Sequence, residues 1–565
     1  MADLEKLFGV KQREQPPSPS EIRGILQTKN YESFSILRDV GDVIHTFDGA
    51  KLANKCMPGD HVYWDGMHCQ LELRDEYPLI VGTIELTSKS RYGLTNRNIP
   101  MYLFTPYDKK YPQFIVGCSE KDKTRNIIGL IKFSDWQSSS MFPRGHIQQI
   151  LGISGDKDAE YEALIWQSCP YRYPKFDYTS TIQPLVVERT RLSGFTFNID
   201  PQGCKDVDDV FTFEKVEDSK WKVTITISDV ALYVSDGSAI DIMASLIGQT
   251  LYDRDGKVIR PMLPAEYSEQ ACSLLPNKDS FGISLQFIWD GTKINHITWM
   301  LSIVHTNKSY TYEEFQMCDL PCRQVLQEIA CYLAKENKDD SHEWVEQMMI
   351  FYNTEAGKIL KDKKVGILRR HSVPNQERLE RYRTHLPEWE KLAFSSAEYC
   401  LAEESNTQHY GLLSDTYAHT SSPIRRYADL VNQRILHLYI TKSKEDYIVP
   451  QVMYDMNCRE KAIRRFARDV DFLDAISSGN NTFEAIIMEK KKLDNDFLKI
   501  KLYVPQWKRM VSTTYKYISD DLVLSRDEKT ELFVKDYETV KIQCAYNHLM
   551  RNWKDRIIIN VTNFD

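Results

Sequence analysis

The chain has 565 residues, of which 42% are apolar and 11% aromatic, and its formal net charge is −8. Such a length exceeds what one hydrophobic core can hold, so several domains are expected. The negative charge argues against a protein that coats nucleic acid with its whole surface, but it is compatible with an enzyme that has a basic internal channel.

Residues 1–28 contain the polar, proline-rich stretch QREQPPSPSE and are predicted to form a tail. The beginning of the chain carries charges where a secretory signal has its apolar stretch, and no segment approaches the roughly 18 consecutive apolar residues of a membrane span. We therefore expect an intracellular protein, cytoplasmic rather than nuclear, without a membrane partner.

Short strands are predicted from Tyr31 to about Ser180. Segments such as DHVYWDG, LIVGTIEL and IIGLIKF are rich in β-branched and aromatic residues and are separated by Gly, Asp and Asn. Closely spaced short strands are typical of small barrels, and the length allows two of them, over residues 29–95 and 96–175.

The middle of the chain, residues 176–478, mixes strands with helices. WKVTITISDVALYV has the pattern of a buried strand. Four segments carry apolar residues at helical spacing: CRQVLQEIACYLAKEN, HEWVEQMMIFYNTEAGKIL, PEWEKLAFSSAEYCLAEES and EKAIRRFARDVDFLDAIS. In SSPIRRYADLVNQRILHLYI, Ser422 is predicted to cap a helix whose first turn contains Pro423. Residues 479–565 return to strands and predict a last small barrel, so the fold class is multidomain α+β.

The stretch NIDPQGCKDVDDV holds four aspartates: Asp200, Asp206, Asp208 and Asp209. The strand predicted for FTFNID ends at Pro201, and Gly203 allows a turn that lets Asp200 converge on the others. Carboxylates on such a bend suit Mg²⁺ or Mn²⁺, and a two-metal phosphodiesterase requires them. The residues alone leave a solvated acidic turn as the alternative, whereas a calcium loop of EF-hand type lacks its Glu and its helical flanks.

Two arginine pairs stand out in the second half of the chain. AHTSSPIRRYADL places Arg425 and Arg426 in the first turns of a predicted helix, where a guanidinium and the helix N-terminus can grip a phosphate. GILRRHSVP, Gly366–Pro374, is a second cationic turn. For both pairs the alternative is surface arginines that bind no ligand.

Six motifs, in this order, resemble the RNB domain of the ribonuclease II / RNase R family. IDPQGCKDVDDV is similar to the family's IDP-x-x-x-KD-x-DDA, and TISDVALYV is similar to HIADVSHYV. VIRPMLPAEYSEQACSLLP, YTYEE, ILRRHSVP and YAHTSSPIRRYADL follow the family's further motifs. The resemblance covers residues 176–478, which would be the α/β catalytic domain.

The flanking regions are similar to those of the same family. The segments around CMPGDHVYWDG and IKFSDWQSSSMFPRG resemble the two cold-shock or OB-type β-barrels that precede RNB domains. Residues 479–565 stand where the family has its C-terminal OB-type RNA-binding barrel. No nuclease domain of PIN type is expected ahead of the barrels, so the chain should resemble those exosome-type eukaryotic members that lack this domain.

The resemblance implies a processive 3′→5′ exoribonuclease that hydrolyses single-stranded RNA to nucleoside 5′-monophosphates, acting as a monomer. It implies two Mg²⁺ ions, with Mn²⁺ as a substitute, held by Asp200, Asp206, Asp208 and Asp209. Arg425 matches the arginine that contacts the scissile phosphate, and Arg426 lies next to it. Tyr252 matches a tyrosine that packs on the last nucleotides, and Tyr312 matches an aromatic residue that favours RNA over DNA.

Some positions depart from the family pattern. Thr226 replaces the His of HIADVS, Gln347 stands where many members have Glu, and Ala467 replaces the Glu of AERDV. The loop LYDRDGKVIR, which begins next to Tyr252, is longer than usual. None of these changes removes a predicted metal ligand, but they bring rate and end-product length into question. The alternative function is a catalytically silent RNA-binding protein or a scaffold on the same fold.

Overall fold

A computed structural model describes most of the chain and divides it into two compact units. Unit 1 comprises residues 1–163 and 546–558, and unit 2 comprises residues 164–545 and 559–565. The residues that the structure describes are 22–38, 41–184, 187–217, 219–443, 445, 447–449, 453–493, 496–525, 529–547 and 556–562.

Unit 1 begins with a five-stranded antiparallel sheet that encloses a small apolar core around Leu26 and Phe34. Its strands are hydrogen-bonded in the order β3-β2-β1-β4-β5. The tail prediction is wrong for residues 22–28, because they form a strand paired on both sides, and residues 1–21 lie outside the described part of the chain. The strands are β1 (Ile22–Thr28), β2 (Ser33–Leu37), β3 (Val43–Asp48), β4 (His61–Trp64) and β5 (Cys69–Leu73).

The second sheet of unit 1 closes into a barrel in the order β10-β8-β7-β6-β9. The predicted domain boundary at residue 95 is wrong, because β6 precedes it and pairs with both β7 and β9 of this barrel. The core includes Phe104 and Phe114, which are fully buried. The strands are β6 (Ile80–Ile84), β7 (Met101–Pro106), β8 (Phe114–Gly117), β9 (Ile127–Asp135) and β10 (Arg144–Ile153).

A buried ion pair completes unit 1. Glu160 lies near the start of helix α1 (Lys157–Ser168) and is paired with Arg556, which has no exposed surface. The same carboxylate accepts a hydrogen bond from the Tyr107 hydroxyl at 2.7 Å and one from the Gly155 N–H at 2.8 Å. A residue near the far end of the sequence is therefore part of the interior of this unit.

Unit 2 is built on a seven-stranded mixed sheet in the order β11-β18-β17-β14-β13-β12-β19. The strand predicted for WKVTITISDVALYV is confirmed for its first part as β14, which is buried from Val223 to Ser228, but the following apolar residues Val230–Leu232 form a 3₁₀ helix and not a strand. The strands of this sheet are β11 (Thr190–Arg191), β12 (Phe195–Ile199), β13 (Asp209–Glu217), β14 (Lys220–Ser228), β17 (Asp279–Trp289), β18 (Ile294–His305) and β19 (Lys308–Tyr310). Two hairpins lie outside it, β15 (Leu251–Tyr252) with β16 (Val258–Arg260) and β20 (Ile367–Arg370) with β21 (Glu398–Leu401).

Helices follow and flank this sheet, and three of the four helices predicted from spacing are confirmed as α4, α5 and α8. The segment PEWEKLAFSSAEYCLAEES is not one helix: it forms a short 3₁₀ helix, Pro387–Ala393, and then strand β21. Its apolar residues satisfy both periods, and pairing with β20 decides the outcome. The helices are α2 (Ala239–Ile247), α3 (Tyr312–Met317), α4 (Pro321–Ala334), α5 (Ser341–Lys363), α6 (Gln376–His385), α7 (Tyr427–Ile440) and α8 (Met453–Ser477).

A last seven-stranded sheet follows α8, in the order β26-β25-β24-β23-β22-β27-β28. Trp507, fully buried before β24, packs against Phe472 of α8 and Phe483 of β22. The strands are β22 (Thr482–Lys492), β23 (Phe497–Val504), β24 (Arg509–Ser519), β25 (Leu522–Leu524), β26 (Glu531–Phe533), β27 (Thr539–Tyr546) and β28 (Ile557–Thr562). Within the described ranges, no helix combines the length and apolarity needed to cross a membrane.

Candidate active site

The four predicted aspartates lie around one connection of the unit 2 sheet. Asp200 directly follows β12, and Asp209 is the first residue of β13, which pairs antiparallel with β12. The intervening segment turns at Gly203, whose φ of +82° suits glycine, and it carries Asp206 and Asp208. Antiparallel pairing brings the end of one strand beside the start of the next. The predicted convergence of Asp200 with the other aspartates is therefore reproduced by the fold.

Asp208 is buried, and Asp200, Asp206 and Asp209 are half-buried, with Arg425 as the nearby cation. Burial raises the pKa of Asp200, and burial together with the charges of Asp200 and Asp208 raises the pKa of Asp209 well above its ordinary value. Burial also raises the pKa of Asp208 to about 7, although Arg425 and the Ile424 N–H act in the opposite direction. The site is thus one that a cation would stabilise.

The pair Arg425 and Arg426 meets the acidic cluster through Arg425. Its Nε donates to Asp208 Oδ2 at 3.0 Å, and the Ile424 N–H donates to Asp208 Oδ1 at 3.0 Å. The Asp208 side chain is 5% exposed, whereas that of Arg425 is 44% exposed. Two segments separated by 217 residues are therefore joined at one carboxylate, and the arginine keeps a face toward solvent.

The turn that carries Arg425 differs from the prediction. Helix α7 begins only at Tyr427, and the Ser422 side chain does not cap it. Ser422 Oγ instead accepts a hydrogen bond from Arg425 Nη2 at 3.0 Å, so the predicted cap is wrong. The Ser422 carbonyl accepts the backbone N–H groups of Arg425 and Arg426, at 3.2 and 3.0 Å, which forms a turn ahead of the helix.

Arg426 is not brought to the acidic cluster. Its Nη2 donates to Asp429 Oδ1 at 2.9 Å, and its side chain is 17% exposed. Asp429 has no exposed surface and also accepts the Ser422 N–H at 2.7 Å. The placement of Arg426 therefore supports a role in shaping the turn and does not support the predicted RNA contact.

The two predicted tyrosines do lie at the cluster. The Tyr252 hydroxyl donates to Asp206 Oδ2 at 3.0 Å, from the end of β15. Tyr312, the first residue of α3, stacks on His342 with ring centroids 3.8 Å apart. Burial raises the pKa of Tyr312, and the charges of Asp209 and Asp200 raise it further, which places its ring near the acidic cluster.

Two positioning residues were not predicted from the sequence. Asn353 of α5 accepts the Thr420 N–H at 2.9 Å and donates to Ser421 Oγ at 3.0 Å, so it holds the segment that leads to Arg425. Gln433 of α7 accepts the Val230 N–H at 3.1 Å and donates to the carbonyl of Ser228 at 2.6 Å, so it ties α7 to the end of β14. Both are almost fully buried. The available signal was a polar residue on the buried face of a helix.

The arginine pair of GILRRHSVP, Arg369 and Arg370, lies in β20, and its charges are neutralised by glutamates of the protein. Arg369 is 9% exposed and pairs with Glu460 of α8 through both carboxylate oxygens. Arg370 pairs with Glu398 at 2.8 Å and with Glu404 at 2.5 Å. The structure therefore does not support phosphate binding by this pair and favours the alternative of arginines that bind no ligand, although they are held in ion pairs and Arg369 is buried.

The fit of the cluster to Mg²⁺ or Mn²⁺ rests on chemistry and charge. Among the described residues, no three His, Cys, Asp or Glu side chains form a group ready to hold a metal ion. The oxygens of Asp208 are engaged by Arg425 and Ile424, whereas the Asp209 carboxylate accepts no side-chain hydrogen bond from described residues. Mg²⁺ is often held by one or two carboxylates plus water and substrate phosphates, so a complete protein cage is not required. The hard oxygen donors and the raised pKa values of Asp200 and Asp209 fit such an ion.

Comparison with known proteins agrees with this arrangement. The chain matches the family model for the RNB domain over residues 189–320 and 319–442, and the model for the Dis3-like cold-shock domain 2 (CSD2) over residues 101–168. The mouse exosome complex exonuclease RRP44 is 23% identical over 458 residues, which cover 64% of this chain and 47% of RRP44. The chain thus spans about half the length of the curated relatives it matches.

Solved structures show the same fold. RNase R of Mycoplasma genitalium, in complex with ribose methylated single-stranded RNA, superposes with a TM-score of 0.69 at 16% identity, over 96% of this chain and 100% of that chain. Yeast Ssd1, described as a pseudonuclease, superposes with a TM-score of 0.63 at 15% identity, over 93% of this chain and 81% of that chain. The motifs and the two family models thus identify an RNB domain of the ribonuclease II / RNase R type at residues 189–442 of this chain, with a Dis3-like cold-shock domain ahead of it, and the shared fold agrees.

Proposed function

We propose that the protein is a processive 3′→5′ exoribonuclease that hydrolyses single-stranded RNA to nucleoside 5′-monophosphates. The observation that carries this proposal is the contact between Arg425 and Asp208. It joins a partly exposed guanidinium to the buried Asp208 and, through it, to three half-buried aspartates, which is a charge pattern suited to binding a phosphodiester next to metal ions. The RNB relatives named as exonucleases are consistent with the same reaction.

Arg425 can bind a phosphate without leaving Asp208. A guanidinium has five N–H donors, and Nε and Nη2 each use one of theirs within the protein. The remaining donors belong to a side chain that is 44% exposed, so they are available to a phosphate oxygen. Charge that develops on the phosphate during hydrolysis would be stabilised from this side.

The metal ions would be held by Asp200, Asp206, Asp208 and Asp209. When bound, they would supply an activated water and neutralise the leaving 3′-oxygen. Tyr252 would orient Asp206 through its hydrogen bond and pack on the terminal nucleotides. Tyr312 would line the sugar side of the path, where its stack on His342 keeps the ring in one orientation.

The test uses 5′-labelled single-stranded RNA and a 3′-tailed duplex, each incubated with the enzyme and Mg²⁺. We expect progressive shortening to a small core, release of nucleoside 5′-monophosphates and complete inhibition by EDTA. RNA that stays intact with Mg²⁺ and with Mn²⁺, under conditions where it binds, would refute the proposal.

The second candidate is a silent RNA-binding protein. It is favoured by the absence, within the described residues, of a group of three ligands ready for a metal, and by the engagement of Asp208 with Arg425. This candidate predicts tight RNA binding with no turnover in any divalent cation. The assay above separates the two functions, because both require binding and only the first requires product.

A further inference from the structure

We infer that Arg254 is a positioning residue, because its ion pairs with Asp471 and Asp474 fix the β15–β16 hairpin, and with it Tyr252, beside the acidic cluster. The inference depends on the proposed function only where it concerns RNA. It gives a role to the long loop LYDRDGKVIR, which departs from the family pattern.

The hairpin touches both halves of the site from one short segment. Gln249 forms a backbone bridge with Arg426, and the Thr250 N–H donates to the carbonyl of Arg425 at 3.0 Å. Two residues further on, the Tyr252 hydroxyl donates to Asp206 at 3.0 Å. A displacement of this segment would therefore move the arginine and the acidic cluster relative to each other.

The hairpin has little stability of its own. It is paired at two positions, Leu251 with Arg260 and Tyr252 with Val258, and a register shift lies between them. Its turn is closed by Asp253, whose carboxylate accepts the N–H of Lys257 at 2.8 Å. Isolated two-stranded hairpins are marginal in water, so this one requires an external attachment.

The contacts of Gln249, Thr250 and Tyr252 hold the base of the hairpin, and Arg254 adds an attachment at its tip. Its Nη2 lies 2.5 Å from Asp471 Oδ1, and its Nη1 lies 2.6 Å from Asp474 Oδ2. The two aspartates are three residues apart on α8, so they present adjacent carboxylates to the two ends of one guanidinium. Asp471 also lies 3.5 Å from Lys508 Nζ, which precedes β24, so the same turn of α8 contacts the last sheet.

An exposed ion pair usually adds little to stability, and the Arg254 side chain is 48% exposed. Its effect here is on position, because the hairpin it holds is marginal and carries a residue of the site. Misplacement of such a residue by about 1 Å can lower a reaction rate substantially. Loss of Arg254 should therefore change substrate handling more than global stability.

The test compares Arg254→Ala with Arg191→Ala. Arg191, whose side chain is 59% exposed against 48% for Arg254, makes two hydrogen bonds to Asp279 from β11 and takes no part in the hairpin. We expect Arg254→Ala to raise KM for single-stranded RNA about three- to fivefold, with a smaller fall in kcat and an unchanged melting temperature. Hydrogen exchange of the amides in 250–256 should speed up by a similar factor. Arg191→Ala should change neither quantity.

A double-mutant cycle identifies the partner carboxylates. In the Asp471→Asn, Asp474→Asn background, Arg254→Ala should have no further effect on KM or on exchange in the hairpin. Additive effects would overturn the anchor, and so would unchanged exchange in Arg254→Ala. If the wild-type protein proves inactive on RNA, the proposed function fails, but the exchange measurements still decide this inference.

Discussion

Two segments of unit 2 carry the same pattern, a pair of adjacent arginines followed by an aromatic ring (His371 or Tyr427), and the structure uses them differently. Arg369 and Arg370 stand in β20 and are held by glutamates, and Arg369 is only 9% exposed. Arg425 stands in a turn before α7, contacts Asp208 and remains 44% exposed. The arginines of β20 form ion pairs within the fold, whereas Arg425 keeps exposed N–H donors beside the acidic cluster.

The difference teaches that the partner decides the role of an arginine. Glu460 and Glu398 balance the charges of β20 within the protein. Arg425 balances the acidic cluster only in part, because the aspartates beside Asp208 still raise one another's pKa. Metal ions can neutralise the remaining charge of the acidic cluster, and a phosphate can bind the donors of Arg425 that stay exposed. The ion pairs of β20 leave no such charge to be neutralised. The predictions below test this contrast.

The largest effect is expected for Asp209→Asn. Asp209 contributes a carboxyl group to the acidic cluster, and its side chain accepts no hydrogen bond from described residues, so replacing it by the isosteric Asn should spare the fold. Turnover should fall by at least about 1,000-fold, since a ligand of the ions is lost. RNA affinity, measured by fluorescence anisotropy, should stay within about threefold.

Asp290→Asn is the matched control, because Asp290 accepts hydrogen bonds only within its own β17–β18 turn. It should leave turnover unchanged. An equal loss of RNA binding in Asp209→Asn would mean that the acidic cluster is structural.

Arg425→Gln should lower kcat by about 100-fold, because it removes a donor that stabilises charge on the phosphate. The melting temperature should fall modestly without Mg²⁺, because Asp208, which is 5% exposed, loses its cationic partner, and added Mg²⁺ should restore part of that loss. Single-turnover kinetics with labelled RNA give the rate. A variant with normal kcat would remove Arg425 from the reaction and reverse the contrast drawn above.

Arg369→Gln should behave in the opposite way. Glu460, 14% exposed, would lose its main partner, which should cost about 2 kcal/mol of unfolding free energy. Urea unfolding measures this loss, and the specific activity of the folded fraction should match the wild type. Arg370→Gln, whose partner Glu398 is 38% exposed, should cost less, about 1 kcal/mol.

The smallest effect concerns His409, which lies near Arg369 of β20. Burial and the neighbouring charges of His371 and Arg369 lower the pKa of His409 to about 4. The unfolded chain, with a histidine pKa near 6.5, binds more protons between these values, so stability should fall as pH drops from about 6.5 to about 4. His409→Gln should reduce the loss of unfolding free energy over this pH range by about 1 kcal/mol; the effect is small because the partial exposure of His409 screens the charges that shift its pKa. An unchanged slope in thermal unfolding at several pH values would contradict the assignment.

Local sequence patterns predicted correctly those elements whose secondary structure depends little on contacts with distant residues. β14 and helices α4, α5 and α8 were predicted because their apolar periods are long and unambiguous. The segment after Pro387 was not, because its spacing fits a helix while pairing with β20 makes part of it a strand. The Ser422 cap failed because its hydroxyl found Arg425 instead of the helix.

The site was predicted in its ligand types and only partly in its geometry. Motif resemblance located Asp208 and Arg425, but no local rule states that they touch across 217 residues. Asn353 and Gln433 escaped notice for the same reason, since each acts on backbone groups 67 to 205 residues away. Arg426 was assigned to RNA by adjacency, and its buried partner Asp429 shows the limit of that argument.

The pairing of Glu160 with Arg556 has a consequence for biosynthesis. The two residues are 396 positions apart, yet both belong to the interior of unit 1. At the usual pace of about 5–20 residues per second, a ribosome needs about 20–80 s to travel from one to the other. During that interval the nascent first unit carries a buried carboxylate without its cation. Unit 1 is therefore complete only after residue 558 has been synthesised, although most of its residues are made several hundred positions earlier.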